Sequence, residues 1–100
     1  MIITVKNKRA ELRKDTGTLI RSLGSSGVVS ADVDENEAYV LLVYENGKAE
    51  LRKSTGTLVR TVVTRGAVHG TLKSDLMTIR FDTGRTQVRK VPSGTLVRTI

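Results

Sequence analysis

The sequence predicts an all-β repeat protein, and three observations support this. One segment occurs three times, at residues 7–23, 46–62 and 83–100. Its copies share Arg-Lys, a short turn, Gly-Thr-Leu, a β-branched residue and Arg. Period-two alternation and β-branched residues dominate throughout, and no long run has helical spacing. The Asn-Gly and Ser-Thr-Gly turns between these runs are typical of tight connections between strands.

The repeat has a period of 37 to 39 residues. Arg13 aligns with Arg52 at 39 residues, and Arg52 aligns with Arg89 at 37. Similar stretches also precede the second and third copies, whereas only residues 1–6 precede the first. We therefore predict a single domain, residues 1–100, of about two and three-quarter units. The units are residues 1–23, 28–63 and 67–100.

Each full unit is predicted to be a meander of four short antiparallel strands. The expected first strands are residues 28–33 and 67–72, and the second strands are residues 2–5, 38–44 and 77–81. The third strands are residues 9–14, 48–53 and 85–90, and the fourth are residues 18–23, 57–63 and 95–100.

The second strands supply the best core candidates. In the middle unit Val40, Leu42 and Tyr44 share one face, and Leu41 and Val43 make the other face apolar too. A strand that is apolar on both faces is typical of one between two sheets, so the middle unit is expected to be internal. We align Val40, Leu42 and Tyr44 with Met77, Ile79 and Phe81, and with Met1, Ile3 and Val5. In the third unit Thr78 and Arg80 share a face that is expected to be solvated or interfacial.

This meander, with a fourth strand ending in Leu-Val-Arg-Thr-Ile, resembles a blade of a β-propeller in the style of YVTN or NHL blades. The resemblance covers residues 28–63 and 67–100, with residues 1–23 as a blade that lacks its first, channel-lining strand. The Gly-His and Trp-Asp pairs of the WD40 family are absent. No functional residue is carried over, because a propeller scaffold does not itself set function.

The number of blades bears on how the fold closes. Propellers close with about four to eight blades, so the resemblance implies that three blades close by oligomerisation. A homodimer with six blades is favoured. The alternative is a β-trefoil, in which three four-stranded units close within one chain.

Composition excludes several classes of protein. The 100 residues include no cysteine, which excludes a disulfide scaffold and a thiolate zinc site. The start of the chain lacks the apolar run of a signal peptide or a membrane-spanning helix. We expect a cytoplasmic protein with no membrane partner and no cofactor.

Basic residues form the candidate binding surface. The chain has 17 Lys and Arg against 10 Asp and Glu, a net charge of +7 that favours acidic partners. Four basic positions recur in each unit and would contact a nucleic acid or another polyanion. They are Arg9, Arg13, Lys14, Arg21, Lys48, Arg52, Lys53, Arg60, Arg85, Arg89, Lys90 and Arg98. The interpretation that we favour over polyanion contact is a solvated surface that protects sheet edges and pairs with Glu11 and Glu50.

Residues suited to catalysis or metal binding are few. The run from Asp32 to Glu37 resembles the start of a calcium loop, but it lacks the required glycine and the distal glutamate, so we expect a solvated turn. His69 is the only histidine, and we expect it to be structural or exposed. A hydrolase would need His69 beside an acid from this run. We therefore expect no enzyme but a homo-oligomeric, non-catalytic binding or scaffold module, with nucleic-acid binding as the alternative.

Overall fold

The computed structural model describes residues 1–100, which form eleven strands in three antiparallel sheets. The first sheet contains β1 (Ile2–Lys6), β2 (Arg9–Arg13) and β3 (Leu19–Leu23). The middle sheet contains β4 (Val28–Val33), β5 (Tyr39–Tyr44), β6 (Ala49–Lys53) and β7 (Leu58–Val63). The third sheet contains β8 (Ala67–Lys73), β9 (Leu76–Phe81), β10 (Thr86–Lys90) and β11 (Leu96–Thr99). Each predicted strand is present, with both ends within one residue of the prediction.

Each sheet is a separate meander whose neighbouring strands are consecutive in the chain. No strand belongs to the ladder of another sheet, so the threefold closure of the β-trefoil alternative is wrong for this chain. The sheets pack face to face and do not close on themselves. The chain contains no helix long and apolar enough to cross a membrane.

The middle sheet is covered on both faces, as the two-sided apolar pattern of β5 predicts. Residues 40–44 are each 4% exposed or less. One cluster joins Val40, Leu42 and Tyr44 to Ala10, Leu12, Leu23 and Val28. The other cluster joins Leu41, Val43, Ala49 and Leu51 to Ala67, Leu72, Met77 and Ile79. Alternate side chains of one strand therefore anchor two different neighbouring sheets.

The alignment of Met1, Ile3 and Val5 with Val40, Leu42 and Tyr44 is wrong by one residue. Lys6 pairs with Arg9, which leaves a two-residue turn whose residues both have positive φ. The corresponding hairpin of the middle sheet has a three-residue turn at 45–47. A shift of one residue reverses the face of every side chain in a strand. Ile3 therefore lies opposite Leu12 and packs toward the middle sheet, in the position of Leu41.

The stack leaves one sheet face open at each end, and both open faces are polar. We define the N-terminal face as the side of the first sheet that carries Ile2, Thr4, Lys6, Arg9, Glu11 and Arg13. We define the C-terminal face as the side of the third sheet that carries Leu76, Thr78, Arg80, Thr86, Val88, Lys90 and Arg98. Thr78 and Arg80 stand where the middle sheet has Leu41 and Val43. Arg80 is exposed, as its position in the sequence pattern predicts.

Leu41→Ala and Leu42→Ala should each lower the free energy of unfolding by about 2–5 kcal/mol, because each truncates a fully buried side chain in a different cluster. Leu58 is 45% exposed, so Leu58→Ala is the matched control and should cost no more than about 0.5 kcal/mol. Urea unfolding followed by circular dichroism measures all three. A cost below about 1 kcal/mol at either buried leucine would contradict two-sided packing of β5.

Candidate functional site

The acidic turn between β4 and β5 is closed by one of its own carboxylates. Asp34 is only 7% exposed. Its Oδ1 accepts hydrogen bonds from the amides of Ala38 at 2.7 Å and Tyr39 at 3.0 Å. The expectation of a solvated turn is therefore wrong for Asp34, which acts as a local cap for the chain reversal.

Two other carboxylates of this turn tie the middle sheet to the third. Oδ2 of Asp32 accepts a hydrogen bond from the Leu72 amide at 2.7 Å, and Oε1 of Glu35 accepts one from the Ser74 amide at 3.1 Å. No group of three His, Cys, Asp or Glu residues is placed to hold a metal ion. The acidic run serves as a contact between sheets.

His69 lies on β8 and is exposed. Its Nδ1 is 3.2 Å from the hydroxyl of Ser30 on β4. That hydroxyl also accepts a hydrogen bond from the Gly70 amide at 3.3 Å, and Ser30 is buried. The hydrogen bonds of His69 include no carboxylate, so the pairing with an acid of the 32–37 run does not form.

Three of the twelve candidate basic residues brace turns in their own sheets. Arg13, Arg52 and Arg89 donate from Nη1 to the carbonyls of Gly17, Gly56 and Gly94 at 2.8, 2.9 and 2.8 Å. They also donate to Glu11, Glu50 and Gln87 at 2.7, 3.1 and 3.0 Å. Their strands, β2, β6 and β10, are interior to the sheets, so protection of a sheet edge does not explain them.

Glu50 carries a fully paired buried charge between the first and middle sheets. It is 5% exposed. Oε1 accepts hydrogen bonds from the Tyr44 hydroxyl at 2.7 Å and from Nε of Arg52 at 3.1 Å. Oε2 lies 3.0 Å from Nζ of Lys48, which also sits 4.7 Å from the centre of the Tyr44 ring. A carboxylate out of water needs such partners, because an unpaired one is costly.

The same contacts shift two pKa values. Burial by itself raises the pKa of Glu50, but the hydrogen bonds from Tyr44, Lys48 and Arg52 outweigh burial and hold that pKa below its ordinary value. Burial and the hydrogen bond to Glu50 raise the pKa of Tyr44.

The fourth-strand arginines reach from each sheet to the next. Nη1 of Arg21 donates to the carbonyl of Thr55, in the turn before β7, at 2.7 Å. The side chain of Arg60 likewise lies over the turn before β11, since a Cβ placed on Gly94 would be 3.1 Å from Cδ of Arg60. Arg98 has the same position on β11 but no following sheet to reach, and it is exposed.

The first sheet has a turn that no arginine of a preceding sheet covers. A Cβ placed on Gly17, in the turn before β3, would have no neighbour within 4 Å. A Cβ on Gly56 or Gly94 would instead contact the arginine of the preceding sheet. At one end of the stack Arg98 has no turn of a following sheet to contact. At the other end the turn before β3 has no arginine of a preceding sheet over it.

The other candidate basic residues do not form one stripe. Arg9, Lys14, Lys53, Arg85 and Lys90 are exposed, whereas Lys48 is half-buried against Glu50. Alternation along β2, β6 and β10 spreads these residues over both faces of each sheet.

One cleft, of about 370 Å³, opens on the C-terminal face. It is lined by Lys73, Ser74, Leu76, Thr78, Val88 and Arg98. In the middle sheet the positions of Thr78 and Val88 are occupied by Leu41 and Leu51, which the third sheet covers completely. Sequence reasoning missed this cleft, and its only signal was the polar residue at the position of a core leucine.

Solved structures share this arrangement of sheets. BamB from Moraxella catarrhalis matches 98% of the chain with a TM-score of 0.77 at 12% identity. The WD40 domain of Pan2 from Neurospora crassa matches 98% with a TM-score of 0.72 at 12% identity. The WD40 β-propeller domain of Doa1 matches 92% with a TM-score of 0.68 at 19% identity. The three sheets are β-propeller blades.

The three blades span about a third of the length of these structures, at 31%, 32% and 33%. No family model matches the chain. No curated protein is similar to it either. The comparisons therefore establish the fold.

Glu50→Gln should lower the free energy of unfolding by about 1–3 kcal/mol near neutral pH, because a neutral amide loses charge-assisted hydrogen bonds from Lys48 and Arg52. The folded-state pKa of Glu50 lies below the ordinary carboxyl value of 4.5. The difference in free energy of unfolding between the wild type and Glu50→Gln is therefore fully present above the pKa of Glu50 in the unfolded chain. It is lost as the pH falls through the pKa of Glu50 in the folded protein. Urea unfolding from about pH 7 to about pH 3 measures this loss.

Glu11→Gln is the matched control, because Glu11 holds the equivalent position on the open N-terminal face and pairs with Arg13. It should cost less than about 1 kcal/mol. A difference between wild type and Glu50→Gln that stays constant over the pH range would contradict the depressed pKa of Glu50.

Proposed function

We propose that the chain is a non-catalytic binding and scaffold module that completes a propeller ring with a second copy of itself, with six blades from two chains. Three blades are fewer than the roughly four to eight with which propellers close. In this ring the C-terminal face of each copy packs on the N-terminal face of the other, which gives two identical seams.

One observation carries this proposal, namely the arginine-to-turn contact that is made at both internal seams and left unmade at the ends. Arg21 reaches the turn of the middle blade, and Arg60 passes over that of the third. In the ring, Arg98 of one copy donates a hydrogen bond to the carbonyl of Thr16 in the other copy, as Arg21 donates to that of Thr55. The ring thus repeats a contact that the chain already uses.

The residue beside the open turn favours the same pairing. Asp15 stands where the middle blade has Ser54, and its side chain is 84% exposed. Its Oδ1 lies 2.9 Å from the amino group of Met1. A carboxylate at this position gives Arg98 of a second copy a charged acceptor that the internal seams do not have.

A non-catalytic role fits the use that the chain makes of its reactive groups. The carboxylates of Asp32, Asp34 and Glu50 accept hydrogen bonds that hold turns and seams. His69 contacts the buried Ser30. Each of these groups is accounted for by blade packing.

Light scattering in about 0.5 M sodium chloride tests the ring, because such salt shortens the range of repulsion between exposed charges. The native mass should be twice the 10.9 kDa of one chain. Arg98→Glu and Asp15→Arg should each shift the mass to that of a monomer. The double variant Arg98→Glu with Asp15→Arg should restore the dimer, since it rebuilds the pair with reversed charges.

Arg65→Glu is the matched control, because Arg65 is an exposed arginine between β7 and β8, away from both open faces. It changes the net charge equally and should remain a dimer. A wild-type protein that stays monomeric in this salt would overturn the proposed ring.

A further inference from the structure

The two open faces carry charges of the same sign. The C-terminal face has Arg80, Lys90 and Arg98 and no acidic residue. The N-terminal face has Lys6, Arg9 and Arg13 with Glu11 as its only acid. A seam formed by these faces therefore brings an excess of positive charge together.

The internal seams avoid this excess of positive charge, because they have different residues at the equivalent positions. Where the middle blade has Val43 and Tyr44, the open faces have Arg80 and Lys6. Among the cations that face an internal seam, Lys48 and Arg52 pair with Glu50, and Arg21 donates to the carbonyl of Thr55. Arg80 and Lys6 form no ion pair within the chain. Pressing such cations into a seam costs both repulsion and lost hydration.

The cleft of the C-terminal face lies in this seam and has the groups that an oxyanion needs. The Arg98 guanidinium offers a planar fork of donors, and Lys73 offers a second positive charge. The hydroxyls of Ser74 and Thr78 add neutral donors, and the volume of about 370 Å³ leaves room for several phosphoryl groups.

We propose that each seam of the dimer binds one multivalent oxyanion of the phosphate class, which bridges the cations of the two faces and controls ring closure. This inference rests on the proposed ring. The anion contacts Arg98 and Lys73 of one copy and offsets the charge of Arg80 and of the other copy's N-terminal face. Several negative charges are needed, because several cations from two chains converge. Since the ring has two seams, the stoichiometry is one anion per chain.

The test follows native mass by light scattering at low ionic strength while sodium tripolyphosphate is added. The wild type should change from monomer to dimer, with saturation at one tripolyphosphate per chain in a calorimetric titration. Sodium chloride at the same ionic strength should leave it largely monomeric, because screening alone is weaker than bridging.

Two variants restore the residue types that the internal seams use. Arg80→Val and Lys6→Tyr copy Val43 and Tyr44, so each should dimerise without tripolyphosphate. Each should also bind the anion about fivefold to tenfold more weakly, which is the effect of removing one nearby charge in water. Arg65→Val is the control and should behave as the wild type does. Circular dichroism verifies that each variant is folded.

The outcomes separate this inference from the ring. A wild type that dimerises equally well at low ionic strength without tripolyphosphate would overturn the anion bridge and leave the ring intact. A wild type that stays monomeric in about 0.5 M salt, where repulsion is screened, would overturn the ring itself. A DNA duplex that binds far more tightly than tripolyphosphate and displaces it would replace the small oxyanion with a nucleic acid.

Discussion

The burial of both faces of β5 is the constraint on which the rest of the structure depends. Antiparallel sheets often keep one face in water, but residues 40–44 are apolar on both sides and are almost wholly buried. Each neighbouring blade then needs only one apolar face, and its other face is free to be polar. Thr78 and Arg80 on one end, and Thr4 and Lys6 on the other, follow from this arrangement. An open three-blade stack results without closure of any sheet.

Polar groups follow a consistent rule within the stack. At the seams each polar group is paired: Glu50 with Tyr44 and Arg52, and Asp32 with the Leu72 amide. No buried side-chain nitrogen or oxygen lacks a partner. The open faces carry the unpaired cations and the cleft. The open faces therefore offer the unpaired groups on which the proposed assembly depends, whereas the internal seams have theirs paired.

Much of the fold could be predicted from the sequence, because repetition identifies equivalent residues and period two identifies strands. The side of the sheet on which Ile3 lies could not be predicted, since it depends on whether the turn after β1 has two residues or three. The role of Asp32 was hidden because its partner, the Leu72 amide, is 40 residues away. Repetition also gave equal weight to twelve basic residues, although Arg52 braces its own turn and Arg21 reaches the next blade. Only the structure shows which equivalent positions are covered.

The most direct measurement of the central claim is native-state hydrogen exchange, resolved strand by strand. If two-sided burial of β5 holds the stack together, its amides should exchange only through global unfolding, with a protection free energy equal to that from urea unfolding. Amides of β1 and β11, each with one neighbouring strand, should exchange through smaller, local openings. Exchange of β5 amides as fast as those of β11 would contradict the account.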